Sequence, residues 1–121
     1  ILKALTEGRY NQVIYEEQNV QVRHENGQIF HPTELSQSTK ELLYIALRFS
    51  LIKSLQKYYP FPIIVDDAFV HFDKHRKEIM IKYLMSMKDD IQILYFTCNK
   101  DQNVPQKQTI TLTKIEGAKS K

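Results

Sequence analysis

The chain has 121 residues, of which 42% are hydrophobic, 11% aromatic and 26% charged. This length and composition are typical of one globular domain and exclude long disorder, collagen-like repeats and tandem arrays. Seventeen Lys and Arg residues against fourteen Asp and Glu give a net charge of +3. Because these charges are interspersed, the chain lacks the clustered basic stripe of a nucleic-acid-binding domain.

Cysteine, glycine and apolar-run counts narrow the class of protein further. The single cysteine, Cys98, excludes an internal disulfide and a multi-cysteine zinc site, and it is typical of the reducing cytoplasm. Three glycines cannot form a G-x-x-x-x-G-K-[ST] phosphate loop. Apolar runs such as residues 61–65 are far shorter than the ~20 residues of a membrane span. Since the chain begins at Ile1 without an export signal, we expect a piece of a longer cytoplasmic protein that does not associate with membranes.

The first 31 residues predict a helix end followed by an antiparallel β-meander. Residues 1–6 are typical of the end of a helix. Residues 10–15 and 20–24 are rich in β-branched and aromatic residues with partial alternation. Asn26 and Gly27 form a strong hairpin signal. We expect the meander to end near Phe30, because Pro32 interrupts strand pairing.

Residues 39–59 predict a long helix that is buried on most sides. Ser38 and Glu41 match a capping box, which places the helix start at Ser38, and Pro60 is expected to end the helix. The apolar residues recur at three- and four-residue spacing over a wide face, which indicates deep burial. These residues are Leu42, Leu43, Ala46, Leu47, Phe49, Leu51, Ile52 and Leu55.

The remainder predicts a strand–helix–strand unit. Residues 62–65 are apolar on both faces, which is typical of a central parallel strand. Asp73 can cap a helix over residues 74–87, and residues 91–97 and 108–113 predict two more strands. We therefore expect an α/β fold: a mostly parallel sheet flanked by helices, with the antiparallel meander on its N-terminal side. The expected core positions of the second helix are Ile79, Met80, Tyr83, Leu84 and Met87.

Two places in this pattern are candidates for chemistry. Ligands of parallel sheets bind beyond the carboxyl ends of the strands, where Asp66, Asp67 and residues 97–99 fall. Two adjacent carboxylates there predict a site for magnesium and water, and the alternative is a strand end that simply faces water. The start of the first long helix, residues 36–41, has free N–H groups and a positive dipole end that suit phosphate, although every capped helix has such an end.

Histidine and cysteine side chains are weaker candidates. His71 and His75 have a spacing that could bind zinc on one helix face, but the cap at Asp73 separates them. Asp66, Asp67 and His71 together would also allow a metal-dependent nuclease, which is one alternative function for the chain. Cys98 is expected to be a small buried hydrophobic residue at a strand end.

The order of these segments resembles that of the ABC-type ATPases. Residues 35–39 (L-S-Q-S-T) and 41–48 (E-L-L-Y-I-A-L-R) resemble the signature motif and its helix. Residues 62–67 (P-I-I-V-D-D) resemble the Walker B strand, 68–73 (A-F-V-H-F-D) the D-loop, and 93–99 (I-L-Y-F-T-C-N) the switch strand. In detail the pattern is similar to the bacterial YhaN- and SbcC-like branch of SMC-type ATPases, which are associated with DNA repair and recombination. The resemblance covers about residues 8–113.

This resemblance implies that the chain is the C-terminal lobe of a split ATPase head. The expected divisions are a coiled-coil stub (1–7), the β-meander (8–31), the signature motif and helix (32–59), the Walker B, D-loop and switch region (60–113) and a tail (114–121). The implied partners are the N-terminal P-loop lobe of the same parent chain and a second copy of the head, with DNA and a nuclease subunit as further candidates.

The resemblance also implies a role for each matching residue. Asp66 would orient the water shell of Mg²⁺, and Asp67 would be the catalytic carboxylate. Asp73 would line the seam between two heads, and Asn99 stands at the switch position. The signature segment would bind the γ-phosphate of ATP held by the second head. Its members are Leu35, Ser36, Gln37, Ser38 and Thr39.

Two residues depart from the pattern of the family. Ser38 stands where glycine is usual, and Asn99 stands where histidine is usual. An amide can hydrogen-bond phosphate or water but cannot carry a proton or a positive charge. These departures imply slow ATP hydrolysis, and the alternative is a degenerate head that binds ATP as a clamp or scaffold. Because it has no P-loop, the lobe alone is expected to be inactive.

Overall fold

Two small sheets and three α-helices share one hydrophobic core in the computed structural model, which describes residues 1–98 and 109–112. The mixed α/β architecture predicted from the sequence is confirmed. In chain order the elements are α1 (Leu2–Leu5), β1 (Tyr10–Glu16), β2 (Asn19–His24), β3 (Ile29–Phe30), a 3₁₀ turn (Pro32–Glu34), α2 (Gln37–Gln56), β4 (Ile63–Asp66), α3 (Lys74–Ser86) and β5 (Ile93–Phe96).

The predicted antiparallel meander is present as the sheet β1–β2–β3. In the turn between β2 and β3, Gly27 has a φ of 86°, and its N–H donates to the carbonyl of His24 over 2.9 Å. The Asn26 side chain accepts from the N–H of Gln28 over 2.9 Å. The predicted turn at residues 26 and 27 is thus stabilised by the left-handed backbone of Gly27 and by the side-chain hydrogen bond of Asn26.

The short helix α1 is part of the core, since Leu2 and Leu5 are buried. Thr6, which caps its C-terminus, is also buried. Its hydroxyl donates to the carbonyl of Leu2 over 2.9 Å and accepts from the N–H of Tyr10 over 3.0 Å. One side chain therefore ties the helix end to the start of β1.

The long helix α2 begins two residues earlier than the capping box suggested. Its N-cap is Ser36, whose hydroxyl oxygen accepts from the N–H of Thr39 over 3.3 Å. The prediction of Ser38 as the cap is wrong because Ser36 has extended backbone angles that point its hydroxyl at the first turn. The helix also ends at Gln56, before residue 59.

Only one face of α2 is buried. Leu42, Leu43 and Phe49 belong to the core, whereas Leu47 and Leu51 are 39% and 60% exposed. The expectation of deep burial on most sides is wrong within the described residues, because none of them covers the second apolar face. None of the described helices combines the length and apolar character that crossing a bilayer requires.

The predicted strand–helix–strand unit is confirmed. Strands β4 and β5 pair in parallel, and α3 connects them in sequence. Asp73 is the N-cap of α3, as predicted, and its Oδ1 accepts from the N–H of Arg76 over 2.9 Å. Met80 and Leu84 on this helix are buried, and so is Ile81, which the periodicity did not single out.

The sheet β4–β5 is open on one face. Ile63 and Val65 are buried, but Ile64 is 65% exposed and Phe96 is 51% exposed. The prediction of a strand buried on both faces is therefore wrong for β4, since the described residues cover one face and supply one partner strand. The predicted last strand, residues 108–113, is not present in the described residues 109–112, and its two ends lie outside them.

Candidate functional site

The two carboxylates Asp66 and Asp67 lie at the carboxyl end of β4, as predicted. The N–H of Asp67 donates to the carbonyl of Phe96 over 2.9 Å, which extends the parallel ladder by one bond beyond Asp66. Asp67 then has a φ of 44°, in the left-handed region that Asp enters more readily than most residues. The backbone thus turns sharply at the position of the expected catalytic carboxylate.

Cys98 supplies two contacts to the Asp67 side chain from the end of β5. Its N–H donates to Oδ1 over 3.3 Å, and its thiol donates to Oδ2 over 3.7 Å. The expectation that Cys98 is buried is wrong: the thiol is exposed, because the strand has already ended and left the core. Sequence reasoning missed this pairing, and only the register of β4 against β5 could have revealed it.

The donor set at this strand end suits a magnesium ion only in part. Asp66 offers an exposed carboxylate, and Mg²⁺ sites commonly use one or two carboxylates together with phosphate oxygens and waters. Across residues 1–98 and 109–112, no three His, Cys, Asp or Glu side chains form a metal-binding group. The carboxylates of Asp66 and Asp67 therefore fit a Mg²⁺–nucleotide site in which phosphate oxygens and waters supply the other ligands.

The helix-start candidate is organised around the Ser36 hydroxyl. This oxygen lies 2.8 Å from the Thr39 hydroxyl and 3.2 Å from the Ser38 hydroxyl. The backbone N–H groups of Gln37 and Ser38 have no partner among the described residues, as is usual in a first helical turn. Leu35, the first residue of the predicted signature segment, is buried in the core.

Asp73 shares a cavity with the first turn of α2 but not with Asp67. Asp73 and Thr39 line the same cavity of about 360 Å³, to which neither Asp66 nor Asp67 contributes. The predicted site residues thus form two groups: a helix-start group (residues 35–39 with Asp73) and a strand-end group (residues 66 and 67 with Cys98). Asn99, the predicted switch residue, lies outside the described residues.

A further polar contact joins the turn after α1 to α3 at the same cavity. Nε2 of His75 lies 3.0 Å from a carboxylate oxygen of Glu7, and both side chains are exposed. The hydrogen bond and charge of Glu7 raise the pKa of His75 above its ordinary value of 6.5. His71 lies in the turn before Asp73, so the two histidines are not on one helix, as the sequence indicated. No sequence signal predicted the contact between residues 7 and 75.

Comparison with known proteins finds similarity both in sequence and in fold. No protein-family profile matches the chain. The chain is 39% identical over 101 residues to the uncharacterized protein YhaN of Bacillus subtilis (strain 168). The matched region covers 81% of this chain but only 10% of the length of YhaN. A solved structure from work on ATP-driven dimerization and DNA-stimulated activation of SMC ATPases matches with a TM-score of 0.58. That match has 15% identity, covers 81% of this chain and 69% of the other, and so shows the fold alone.

Proposed function

We propose that this chain, which is similar to part of YhaN and has the fold of an SMC ATPase head, is the C-terminal lobe of a head that binds and hydrolyses ATP. The observation that carries the proposal is the strand-end group. There Asp66 is the last residue of β4 and Asp67 is the next, and Asp67 is hydrogen-bonded to Phe96 and Cys98 at the end of β5. This is the edge at which parallel sheets bind ligands.

In the proposed reaction the two carboxylates have different tasks. Asp66, which is exposed, would help to hold the Mg²⁺ that accompanies ATP, and the ion would offset negative charge on the phosphates. Asp67 orients the attacking water and accepts its proton. Because the Asp67 side chain is short, its position decides whether it reaches that water directly or through a second water.

The helix-start group is proposed to act on ATP held by a second head. The N–H groups of Gln37 and Ser38, together with the positive end of the 20-residue helix α2, suit a phosphate. Since this group is separate from the strand-end group, one copy of the chain is proposed to contribute one group to each of two shared sites. Asp73, which lines the cavity beside Thr39, is proposed to lie at the seam.

The open face of the β4–β5 sheet is proposed to pack against the P-loop lobe of the parent chain. Its exposed apolar side chains, Ile64, Leu94 and Phe96, would be poor as a permanent water-facing surface. Domain divisions at residues 7, 31, 59 and 113, a role in DNA repair, contact with DNA or a nuclease subunit, and a cytoplasmic location are parts of the same proposal, taken from the resemblance.

The test is ATP turnover by the longer parent chain and by its Asp67→Asn variant. Asparagine tolerates the left-handed backbone and keeps an oxygen for the Cys98 N–H, so this variant removes the charge with little change of shape. We expect turnover to fall by about 10²-fold or more, with ATP still bound. The lobe alone should turn over no ATP. Equal turnover by wild type and variant would reject Asp67 as the catalytic carboxylate.

A second candidate function is an ATP-gated clamp that does not hydrolyse ATP. Ser38 and Asn99 favour it, because each replaces the residue usual at a phosphate-contacting position of the family. Negligible turnover by wild type with ATP still bound would support the clamp. In that case Asn99→His distinguishes a degenerate switch, which would gain turnover, from a head that works without one.

A further inference from the structure

Both carboxylate oxygens of Asp67 have a hydrogen-bond donor from the same residue. The backbone N–H of Cys98 lies 3.3 Å from Oδ1, and the Cys98 sulfur lies 3.7 Å from Oδ2. A carboxylate with one contact can still rotate about its terminal bond, whereas contacts to both oxygens restrict that rotation. The plane of the carboxylate is therefore set by a residue 31 positions away in the chain.

The backbone at both strand ends produces this geometry. The register pairs Asp66 with Phe96, and the N–H of Asp67 adds a bond to the Phe96 carbonyl over 2.9 Å. At Asp67 the chain takes a φ of 44° and leaves the strand direction. The residue two beyond Phe96 then faces the side chain of Asp67. The left-handed turn and the two contacts from Cys98 are thus parts of one arrangement.

Burial does not explain why these two residues meet. Cys98 is exposed and Asp67 is only half-buried, so neither side chain contributes to the hydrophobic core. A purely structural contact at such a site adds little stability, because a thiol is a weak donor in competition with water. The contact would have a larger effect on a reaction rate than on stability if that reaction depends on the orientation of the Asp67 carboxylate.

We propose that Cys98 is a positioning residue for Asp67: its thiol and N–H hold the carboxylate in the orientation that hydrolysis requires. This inference rests on the proposed function. Misplacement of a reacting group by about 1 Å can lower a rate by about 10²-fold. Since the N–H remains in every variant and the thiol is the weaker donor, loss of the thiol alone should cost less, about 3- to 10-fold.

The test compares Cys98→Ala with Cys98→Ser in the longer parent chain. Alanine removes the side-chain donor, whereas serine replaces the thiol by a hydroxyl that can still donate to Oδ2. We expect Cys98→Ala to lower kcat about 3- to 10-fold with KM for ATP unchanged within about 2-fold, and Cys98→Ser to stay near wild type. The midpoint of thermal unfolding should be the same in all three proteins, since the residue is exposed.

Repeating the Cys98→Ala substitution in an Asp67→Glu variant shows whether Cys98 affects turnover through Asp67 or through another residue. Asp67→Glu moves the carboxylate one methylene further from the backbone and is expected to displace it from its present contacts with Cys98. Glutamate is the residue that the resemblance gives for most members of the family. In this background Cys98→Ala should leave kcat unchanged, because the pair no longer exists. An equal loss in both backgrounds would show that Cys98 does not act through Asp67.

Other results overturn the inference in distinguishable ways. If wild type turns over ATP, Asp67→Asn does not, and Cys98→Ala equals wild type, then the positioning role is rejected while the proposed function stands. If Cys98→Ser loses as much turnover as Cys98→Ala, the size of sulfur rather than a donor is what matters, and the inference fails. If wild type itself does not turn over ATP, hydrolysis and the positioning role fall together.

Discussion

Asp73 has a structural role that can be separated from its proposed role at the seam between heads. Its Oδ1 accepts from the N–H of Arg76 and so caps α3. We predict that Asp73→Ala lowers the free energy of unfolding by about 1 kcal/mol, because a first-turn N–H loses its acceptor. Chemical denaturation of the chain measures this loss. Asp73→Asn is the matched control and should retain most of the stability, since asparagine caps as well as aspartate. Equal stability of the two variants would contradict the capping role.

His75 makes the stability of the chain depend on pH. Glu7 raises the pKa of His75, and Asp73 and Glu78 add smaller effects in the same direction. Because the pKa in the folded chain lies above 6.5, the stabilisation is complete below the unfolded pKa and is lost as pH rises through the folded pKa. We predict that the stability difference between wild type and His75→Gln is larger at about pH 5.5 than at about pH 8.5.

Two measurements check this assignment. Chemical denaturation at both pH values gives the stability difference, and a histidine titration by NMR gives the pKa of His75 directly. Glu7→Gln should move that pKa down towards 6.5, because the largest cause of the shift is removed. An unchanged pKa in Glu7→Gln would show that the contact is absent in solution.

The turn between β1 and β2 has a backbone that its sequence does not favour. Glu17 and Gln18 have φ values of 47° and 67°, in a region that costs a residue with a side chain roughly 1–2 kcal/mol. We predict that the double substitution Glu17→Asn and Gln18→Gly raises the free energy of unfolding by about 1 kcal/mol. Asparagine and glycine adopt the positive φ values of these two positions more readily than glutamate and glutamine do. Glu16→Gly, in the neighbouring strand, is the control and should lower stability. A loss of stability in the double variant would contradict the assigned turn.

The two faces of α2 should respond differently to truncation. Leu43 is 2% exposed and belongs to the core, whereas Leu51 is 60% exposed. We predict that Leu43→Ala lowers the free energy of unfolding by about 2–5 kcal/mol and that Leu51→Ala changes it by less than about 0.5 kcal/mol. Denaturant titration of both variants tests this. Similar losses at the two positions would mean that the second face is also packed in the isolated chain.

Local chemistry predicted those parts of the fold that depend on neighbouring residues. The Asn26–Gly27 turn, the Asp73 cap and the parallel pairing of the two short apolar strands all followed from such patterns. The start of α2 did not, because Ser36 and Ser38 both suit an N-cap and only backbone geometry chooses between them. The burial of α2 was overestimated because apolar periodicity does not say whether a partner belongs to the same chain.

The sequence predicted which residues belong to the candidate site, but it did not predict which of them contact one another. Asp66 and Asp67 follow an apolar strand, so their place at its carboxyl end could be read from the sequence. The pairing of Asp67 with Cys98 could not, because it depends on strand register and on a left-handed φ at an aspartate. The contact between Glu7 and His75 joins residues 68 positions apart and likewise has no local signature.

At the scale of the whole molecule, the site residues lie in two separate groups. Thr39 of the helix-start group lines a cavity with Asp73, and the strand-end group lies at the end of β4 and β5. Among the described residues, the chain therefore does not bring all of the predicted site residues together at one place. The proposed function explains this separation, since each group would work on a different ATP shared with a second head.

If the two groups act on ATP from opposite sides of a dimer, mixing two inactive parent chains should restore one working site. Asp67→Asn disables the strand-end group. Ser38→Glu disables the helix-start group by placing a negative charge where phosphate would bind, although an acidic residue in the first turn suits the helix dipole. A mixed dimer then contains one site with both groups intact.

We predict that each variant alone turns over negligible ATP and that the mixture regains a clear fraction of wild-type turnover, which rises with the share of mixed dimers. Folding of each variant is checked by its thermal unfolding midpoint, which should stay near that of wild type. A mixture that remains as inactive as its two components, with both variants folded and binding ATP, would contradict a site shared between two heads.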